Sequence, residues 1–240
     1  MPDANPTATP AAPVPRRVLV LVAHPQMELS RANRGLMTAA ARSPDPPGSG
    51  ADVRVRDLYA IYPDYVVDVE RERQALREAD LVVWQHPIHW YGPTPLLKLW
   101  MDDVLGFGWA YGPGGTALQG KDLWVVLTTG GPEPSYQPDG YNRYRFDTFL
   151  PPYEQTAALC GMRFLPPLII HGAHKLSSDD IAARGEAYAQ RLRAYPDWPE
   201  LHGAPDRLVP VVPHDARRDG VVEIPAFPRA SPTAATTTAA

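Results

Sequence analysis

Residues 18–35 read VLVLVAHPQMELSRANRG, and this stretch decides the fold. Five successive apolar residues, 18–22, suit a strand that is buried on both faces of a sheet. His24 and Pro25 end that run, and after a polar turn Ser30 provides a good N-cap for a helix. The stretch therefore predicts a buried strand, a loop and a helix in succession.

The same alternation continues about five times along the chain. Strands are predicted at residues 17–22, 53–57, 81–85, 123–128 and 164–170, and helices at residues 32–42, 69–79, 95–105, 147–159 and 178–194. Right-handed crossovers between such strands give a doubly wound parallel sheet. Ligands bind such sheets beyond the carboxyl ends of the strands, so site residues are expected directly after each strand.

Composition excludes several classes of protein. A length of 240 residues, 44% of them hydrophobic, allows one sizeable core. A net charge of -4 with interleaved acidic and basic residues offers no footprint for nucleic acid. Cys160 is the single cysteine, which excludes an internal disulfide and favours a reducing compartment. Apolar runs fall far short of the roughly 20 residues that cross a bilayer, so we expect a cytoplasmic protein.

Both ends of the chain are low in complexity. Residues 1–15 are rich in Pro, Ala and Thr, and residues 203–240 end in SPTAATTTAA. Such segments bury too little apolar surface to offset the entropy of ordering them, so both are expected to be disordered. The N-terminus has no apolar h-region and does not resemble a signal peptide. One domain, residues 16–202, is predicted between the two tails.

The loop after the first strand has the character of a phosphate site. Ser30 is followed by Asn33, and the N–H groups at a helix N-terminus attract anions. Ser30 as a simple helix cap is the alternative, because caps are common. The loop contains neither a GxGxxG nor a GxxxxGK[ST] sequence, so it matches neither the dinucleotide nor the P-loop fingerprint.

WQHPIHWYGP, residues 84–93, follows the third strand and predicts an irregular turn with an aromatic wall. A planar ligand would pack on such a wall, while ordinary packing of Trp90 and Tyr91 is the alternative. A metal held by His24, His86 and His89 is disfavoured, since these residues do not share one helical face and form no HExxH motif.

TTGGPEPSYQPDGYNRYRF, residues 128–146, follows the fourth strand. Gly130 and Gly131 directly after a buried strand let the backbone approach a ligand and present N–H groups to it. An ordinary turn is the alternative. The phosphate-type turn, the aromatic wall and the glycine pair, Gly130 and Gly131, all fall on one edge of the predicted sheet. Together they describe a flavin pocket.

Several stretches of the chain resemble a known family. AHP and SRAN near the start, residues 79–105, GWAYGPGGTALQGK at 108–121, LTTGG at 127–131 and CGMRFLPP at 160–167 resemble flavodoxin-like NAD(P)H:quinone oxidoreductases. The similarity is greatest to the ancillary proteins of bacterial glutathione-regulated potassium-efflux systems and covers residues 17–195. It implies a flavodoxin-like α/β fold, a doubly wound five-stranded parallel sheet of order 2-1-3-4-5 with helices on both faces.

The resemblance also implies a flavin cofactor, FMN or FAD, a homodimer with the site at the subunit interface, and NAD(P)H as electron donor. FMN is favoured because the chain has no obvious adenine-binding extension. Residues expected at the flavin phosphate and ribityl chain are His24, Ser30, Arg31, Ala32 and Asn33. Those expected at the isoalloxazine ring are Pro87, Ile88, His89, Trp90, Tyr91, Thr128, Thr129, Gly130 and Gly131.

Tyr136 matches a tyrosine with which the animal enzymes, together with a nearby histidine, stabilise the reduced flavin. Six residues further on, this chain has Asn142 followed by Arg143 in place of that histidine. Asparagine donates a hydrogen bond but takes up no proton, whereas Arg143 could balance an anion. Tyr136, Asn142 and Arg143 are therefore the candidate catalytic residues.

A glycine-rich segment with Phe107, Trp109 and Tyr111 is expected to close the pocket, and the resemblance implies that this segment and helix 95–105 meet the partner chain.

Two hypotheses about function follow. The first is a flavin-dependent NAD(P)H:quinone oxidoreductase that passes two electrons to a quinone or similar electrophile by a ping-pong mechanism. The second is a regulatory subunit with little turnover, bound to a potassium/proton antiporter at the inner face of the cell membrane. A hydrolase on the same fold ranks below both, because no nucleophile elbow or Walker pattern is found.

Overall fold

The computed structural model describes residues 16–42 and 50–201. The two tails predicted to be disordered, residues 1–15 and 203–240, lie outside the described residues, as does the predicted domain end at residue 202. Within the described part of the chain, no helix combines the length and the apolar character needed to span a membrane.

The sheet is parallel throughout and has the predicted order. Its strands are β1 (Arg17–Val22), β2 (Asp52–Asp57), β3 (Leu81–Pro87), β4 (Asp122–Thr128), β5 (Arg163–Phe164) and β6 (Leu168–Ile170). Their order is β2-β1-β3-β4-β5, and β6 also pairs with β4. The flavodoxin-like arrangement is thereby confirmed.

The fifth strand differs from the prediction of one run over residues 164–170. The Leu165 N–H still donates to the Leu123 carbonyl at 2.9 Å. Pro166 and Pro167 then interrupt the ladder, because proline has no N–H to donate. The fifth position is consequently shared by the two short strands β5 and β6.

Helices cover both faces of the sheet. They are α1 (Arg31–Ala40), α2 (Leu58–Ile61), α3 (Val69–Glu78), α4 (Pro95–Val104), α5 (Pro151–Leu159) and α6 (Ser178–Arg193). The short α2, capped by Asp57, was not predicted. The helix predicted from residue 147 begins at Pro151 instead, after a 3-10 turn at Phe146–Phe149. Pro151 and Pro152 favour that boundary, because proline fits the first turn of a helix, where no N–H donor is needed.

Two hydrophobic cores result from the alternation of side chains along the strands. In β1, Leu19 and Leu21 face a core shared with α3, α4 and α5. Val18, Val20 and Val22 face a second core shared with α1 and α6. Because both faces of β1 are buried, polar groups can surround the sheet only at its ends and edges.

Leu21→Ala tests this central position. Leu21 is fully buried, so we expect the free energy of unfolding to fall by about 2–5 kcal/mol, the usual result of opening a cavity in a packed core. Urea denaturation measures the change. The matched variant Leu29→Ala, at an exposed position, should change stability by less than about 0.5 kcal/mol.

Candidate functional site

Three loops leave the sheet side by side at the carboxyl edge. The Ala23 N–H, just after β1, donates to the Gln85 carbonyl of β3 at 2.9 Å. The Ile88 N–H, just after β3, donates to the Thr128 carbonyl of β4 at 2.9 Å. The three clusters found in the sequence after β1, β3 and β4 thus lie next to one another.

Asn33 joins these loops from inside the protein. Asn33 is only 2% exposed. Its Nδ2 donates to Thr128 Oγ1 at 2.9 Å and to Ser30 Oγ at 3.3 Å. Gln85 Nε2 donates to the Asn33 carbonyl at 3.0 Å. The sequence suggested contact between Asn33 and a ligand, whereas in the structure both amide hydrogens of Asn33 have protein acceptors. Its side chain fixes the start of α1 to the end of β4.

The first turn of α1 carries charge of the sign opposite to that in the first turns of α3 and α6. Glu70 and Glu72 lie in the first turn of α3, and Asp179 and Asp180 in that of α6. The first turn of α1 contains no acidic residue and begins with Arg31. A cation at the positive end of the helix dipole is unfavourable by about 0.3–1 kcal/mol unless an anion lies beside it. The start of α1 therefore suits an anion.

Ser30 caps this helix, since its Oγ accepts from the Asn33 N–H at 3.3 Å. The N–H groups of Arg31 and Ala32 precede the first possible intrahelical acceptor, as in any α-helix. The Arg31 guanidinium lies across the groove to α6 and donates to Ser178 Oγ at 3.2 Å. The backbone N–H groups are donors for an anion, and the Arg31 side chain adds positive charge to the first turn of the helix.

His24 lies at the end of β1 with its ring centroid 6.1 Å from that of His89. Its Nδ1 accepts from the Gln26 N–H at 3.1 Å, so the proton of the neutral ring is on Nε2. Partial burial lowers the pKa of His24, the nearby His89 lowers it further, and Glu28 acts in the opposite direction. A neutral ring with an Nε2–H donor is the form present at pH 7.

The aromatic wall is held in a strained turn. His89 and Gly92 exchange both backbone hydrogen bonds, at 3.2 and 3.1 Å. The two residues between them, Trp90 and Tyr91, have left-handed backbones with φ of 50° and 66°. Left-handed backbone costs roughly 1–2 kcal/mol for each residue that has a Cβ. This turn leaves Trp90 95% exposed.

Tyr91 points back toward the protein. Its ring stacks on Phe149 with centroids 5.1 Å apart, and its hydroxyl donates to Asn142 Oδ1 at 3.1 Å. Asn142 Nδ2 donates to Ser135 Oγ at 3.2 Å. The Asn142 side chain thus ties the turn after β3 to the loop after β4. Arg143 next to it is exposed, with a left-handed φ of 61°.

The two glycines after β4 differ in their surroundings. A Cβ on Gly131 would lie 2.6 Å from Tyr141 Oη and 2.7 Å from Ser135 Oγ, so a side chain does not fit there without movement. A Cβ on Gly130 would meet no atom within 4 Å. The protein therefore packs closely around position 131 and leaves open space at position 130.

Tyr136 packs below this loop and is 6% exposed. Its ring lies edge-on to Phe146, with centroids 5.1 Å apart. Burial raises the pKa of the Tyr136 phenol, and an interaction with the Thr129 hydroxyl opposes part of that rise. The phenol accordingly keeps its proton at neutral pH and is a donor.

His171 is a residue of this site that the sequence analysis missed. It follows β6 directly, its ring centroid lies 5.3 Å from that of Tyr136, and its Nδ1 lies 3.2 Å from Thr129 Oγ1. The rule that polar residues after strands gather at one edge applies to it as well. The signal in the sequence is the position of His171 directly after the apolar run at residues 168–170.

The residues expected to close the pocket or to meet a partner chain make contacts within the protein. Trp109 packs under the Arg73 guanidinium of α3, with 4.9 Å between the guanidinium carbon and the ring centroid. Phe107 and Tyr111 meet edge-on at 5.8 Å. On α4, Leu97 and Trp100 are buried in the protein's own core.

His86 is fully buried. Its Nδ1 donates to the Pro87 carbonyl at 2.8 Å, and its ring packs on Tyr153 with centroids 5.6 Å apart. Among the described residues, no three His, Cys, Asp or Glu side chains form a group that could hold a metal ion.

Comparison with known proteins gives consistent matches. A family model for the flavodoxin-like fold matches residues 16–195. The glutathione-regulated potassium-efflux system ancillary protein KefF of Salmonella newport (strain SL254) is 43% identical over 187 residues, 78% of this chain and 99% of that protein. General stress protein 14 from Treponema denticola, solved in complex with FMN, is 32% identical with a TM-score of 0.68, covering 74% of this chain and 98% of that one. An NADPH-quinone reductase from P. pentosaceus is 27% identical with a TM-score of 0.62, covering 73% and 97%.

The buried His86 predicts a pH-dependent stability. Burial lowers its pKa from 6.5 to about 4, so only the unfolded chain takes up a proton as the pH falls between these values. We expect this residue to remove about 2–3 kcal/mol of unfolding free energy between pH 6.5 and 4. His86→Phe should abolish that part of the pH dependence in urea denaturation, while His174→Phe, at an exposed position, should keep it.

Proposed function

The chain belongs to the flavodoxin-like family whose model matches residues 16–195, and on that premise we propose that it is an FMN-dependent NAD(P)H:quinone oxidoreductase. The reaction is a two-electron transfer to a quinone or similar electrophile in two exchange steps. The similar proteins named above include one solved with FMN and one named an NADPH-quinone reductase. The first supports a flavin cofactor, and the second supports a nicotinamide electron donor.

The observation that carries the proposal is the unbalanced positive charge at the start of α1. A helix whose first turn contains Arg31 and no acid gains stability when a phosphate binds there. The Ser30 hydroxyl and the backbone N–H groups of Arg31 and Ala32 would hold that phosphate, with the His24 Nε2–H as a further donor. FMN ends in a phosphate monoester, which matches this donor set.

The remaining residues fit the flat part of FMN. Trp90 presents an exposed ring beside the strand ends, and the strained turn from His89 to Gly92 holds it there. Gly130, where a Cβ would meet open space, leaves room for a ring on the side of β4. When bound, FMN supplies the hydride chemistry itself.

The protein contributes a proton donor and a fixed geometry. Tyr136 is protonated at neutral pH and faces the loop that carries Thr129 and Gly131, so its hydroxyl can stabilise negative charge that develops there. Asn33 and Asn142 hold the three loops in register without titrating. Preformed donors of this kind lower the reorganisation needed during the reaction.

We further propose that two copies of the chain form the complete enzyme. Large apolar side chains are exposed at the loops around the site and elsewhere: Leu29, Tyr65, Val66, Trp90, Tyr91, Phe107, Tyr141 and Tyr144. Exposed apolar groups of this size are typical of interfaces. A homodimer would bury part of this set of side chains and would exclude water from the pocket.

A second candidate function is that of an ancillary subunit of a glutathione-gated potassium/proton antiporter, with little turnover of its own. The 43% identity to a protein named as such an ancillary protein favours it. In that case the protein works in the cytoplasm at the inner face of the cell membrane, and flavin binding serves docking or redox sensing.

Arg31→Glu tests the phosphate site. The substitution puts an acid in the first turn of α1, so the unfolding free energy should rise by about 0.3–1 kcal/mol, while the dissociation constant for FMN rises at least about tenfold. Fluorescence titration with FMN and with riboflavin, which has no phosphate, measures the effect. Riboflavin affinity should not change, and neither should FMN affinity in Arg71→Glu, a like charge reversal in the first turn of α3. An equal loss for both flavins would contradict a phosphate at this helix.

Tyr136→Phe tests the proton donor and separates the two candidate functions. We expect quinone reduction with NADH or NADPH to slow by about 10²-fold, the usual loss with an acid catalyst, while FMN content stays nearly unchanged. Stopped-flow absorbance of purified protein measures the rate of quinone reduction, and the flavin absorbance of the same protein measures the FMN content. Bound FMN with turnover near background in the wild type would favour the ancillary subunit. Loss of FMN from the variant would give Tyr136 a structural role instead.

A further inference from the structure

The turn at residues 140–143, in the loop after β4, joins two walls of the site. The N–H of its last residue donates to the carbonyl of its first residue at 2.9 Å. Asn142 within the turn bonds to Tyr91 of the aromatic wall and to Ser135 of the loop after β4. The backbone of the turn is thus held in place before any ligand binds.

Two tyrosines at this turn are exposed. Tyr141 is 72% exposed and Tyr144 is 61% exposed. Tyr141 Oη nevertheless reaches the glycine pair, since it lies 2.6 Å from the position that a Cβ on Gly131 would take. The Tyr144 ring meets Phe149 edge-on with centroids 6.4 Å apart, and Phe149 stacks on Tyr91. The turn therefore lies at the rim of the pocket and presents open ring faces there.

Arg143 and Arg145 add positive charge to this rim. Both side chains are exposed, and neither guanidinium has a hydrogen-bond or ion-pair partner among the residues that the structure describes. Asp139 and Asp147, on either side of them in the sequence, form no ion pair with them. Arg143 has a left-handed φ of 61°, which residues with a Cβ rarely adopt. Strained backbone beside an unpaired cation is typical of a place where a ligand binds.

A nicotinamide dinucleotide that reduces a flavin must place its nicotinamide against the flavin ring, so its adenosine end lies outside the pocket, against the rim. At the start of α1, Arg31 is next to the FMN phosphate of the proposed function. Arg143 and Arg145 are free to bind a second phosphate. A guanidinium binds phosphate oxygens through paired hydrogen bonds, and arginine is the residue that accommodates the 2′-phosphate of NADP in dinucleotide sites.

We propose that the rim formed by the turn at residues 140–143 and the two residues after it binds the adenosine end of NADPH. Arg143 and Arg145 hold the 2′-phosphate and thereby select NADPH over NADH. Tyr144, between them in the chain, gives the adenine an exposed ring to pack on. The inference rests on the proposed function, since it names the electron donor of that reaction. It replaces the role that the sequence suggested for Arg143, which was to balance an anion at the flavin.

Arg143→Asn is the central variant. Asparagine tolerates left-handed backbone better than most residues, so the turn is kept and only the guanidinium is lost. Arg143→Lys keeps the positive charge but not the paired donors. The double variant Arg143→Asn/Arg145→Gln removes both guanidinium groups. Arg71→Gln, at an exposed arginine on α3, is the matched control.

Steady-state quinone reduction gives the ratio of kcat/KM for NADPH to that for NADH. We expect the wild type to prefer NADPH, and the ratio to fall at least about tenfold in Arg143→Asn, through the KM for NADPH rather than kcat. Arg143→Lys should keep part of the preference, and the double variant should lose it. Arg71→Gln should keep the wild-type ratio. Added salt should weaken the preference, because exposed charges are screened.

Calorimetry with adenosine 2′,5′-bisphosphate and with AMP tests the same contact without turnover. The two nucleotides differ only in the 2′-phosphate. The wild type should bind the bisphosphate at least about tenfold more tightly than AMP, and Arg143→Asn should bind the two with similar affinity.

The outcomes separate the NADPH site from the function on which it rests. Equal affinity of the wild type for the two nucleotides overturns the site and leaves the oxidoreductase standing. An equal loss of the NADH-dependent and NADPH-dependent rates in Arg143→Asn also overturns it, because Arg143 would then act at the flavin. A protein that binds no FMN and reduces no quinone overturns the proposed function, and tighter binding of the bisphosphate than of AMP would still support the phosphate site at the rim.

Discussion

The structure depends on the parallel pairing of β1 with β2 on one side and β3 on the other. Residues 18–22 of β1 are each matched to a partner on both neighbours, as Val20 is to Val55 and Val83. A central strand with two neighbours and two apolar faces needs helices above and below it, and parallel connections supply them. All strands then end at one edge, and the loops that follow are the part of the sheet where polar groups can gather.

Most of the polar groups at that edge bond to one another. Asn33 links α1 to β4, Asn142 links the turn after β3 to the loop after β4, and Thr129 links that loop to His171. These bonds fix the loops before any ligand binds, which is the arrangement expected of a site whose donors are preformed. Asn33, Tyr91 and Asn142, three of the candidate site residues, have side-chain partners within the protein at this edge, whereas Trp90 is exposed there.

Three features of the same edge lower stability within the protein alone. They are the arginine at the positive end of α1, the left-handed backbone at Trp90 and Tyr91, and the exposed indole of Trp90. Unfavourable local features that persist in one place are typical of functional sites. A bound phosphate and a stacked ring would offset the first and the third. The oxidoreductase and the antiporter subunit would both use such a flavin site, so turnover rather than binding distinguishes them.

Sequence by itself determined the order of strands and helices, the parallel sheet and the edge where the site lies, because period-2 and period-3.6 patterns and strand-end residues are local. It did not determine which polar residues face a ligand. Asn33 and Thr128 are 95 residues apart and Thr129 and His171 are 42 apart, so only the folded sheet brings them into contact. The break in the last strand at Pro166 and Pro167 and the late start of α5 at Pro151 have local causes that the hydrophobic pattern masked. Which residues bond internally and which remain for a ligand is a property of distances across the sheet, and those distances exist only after the strands have paired.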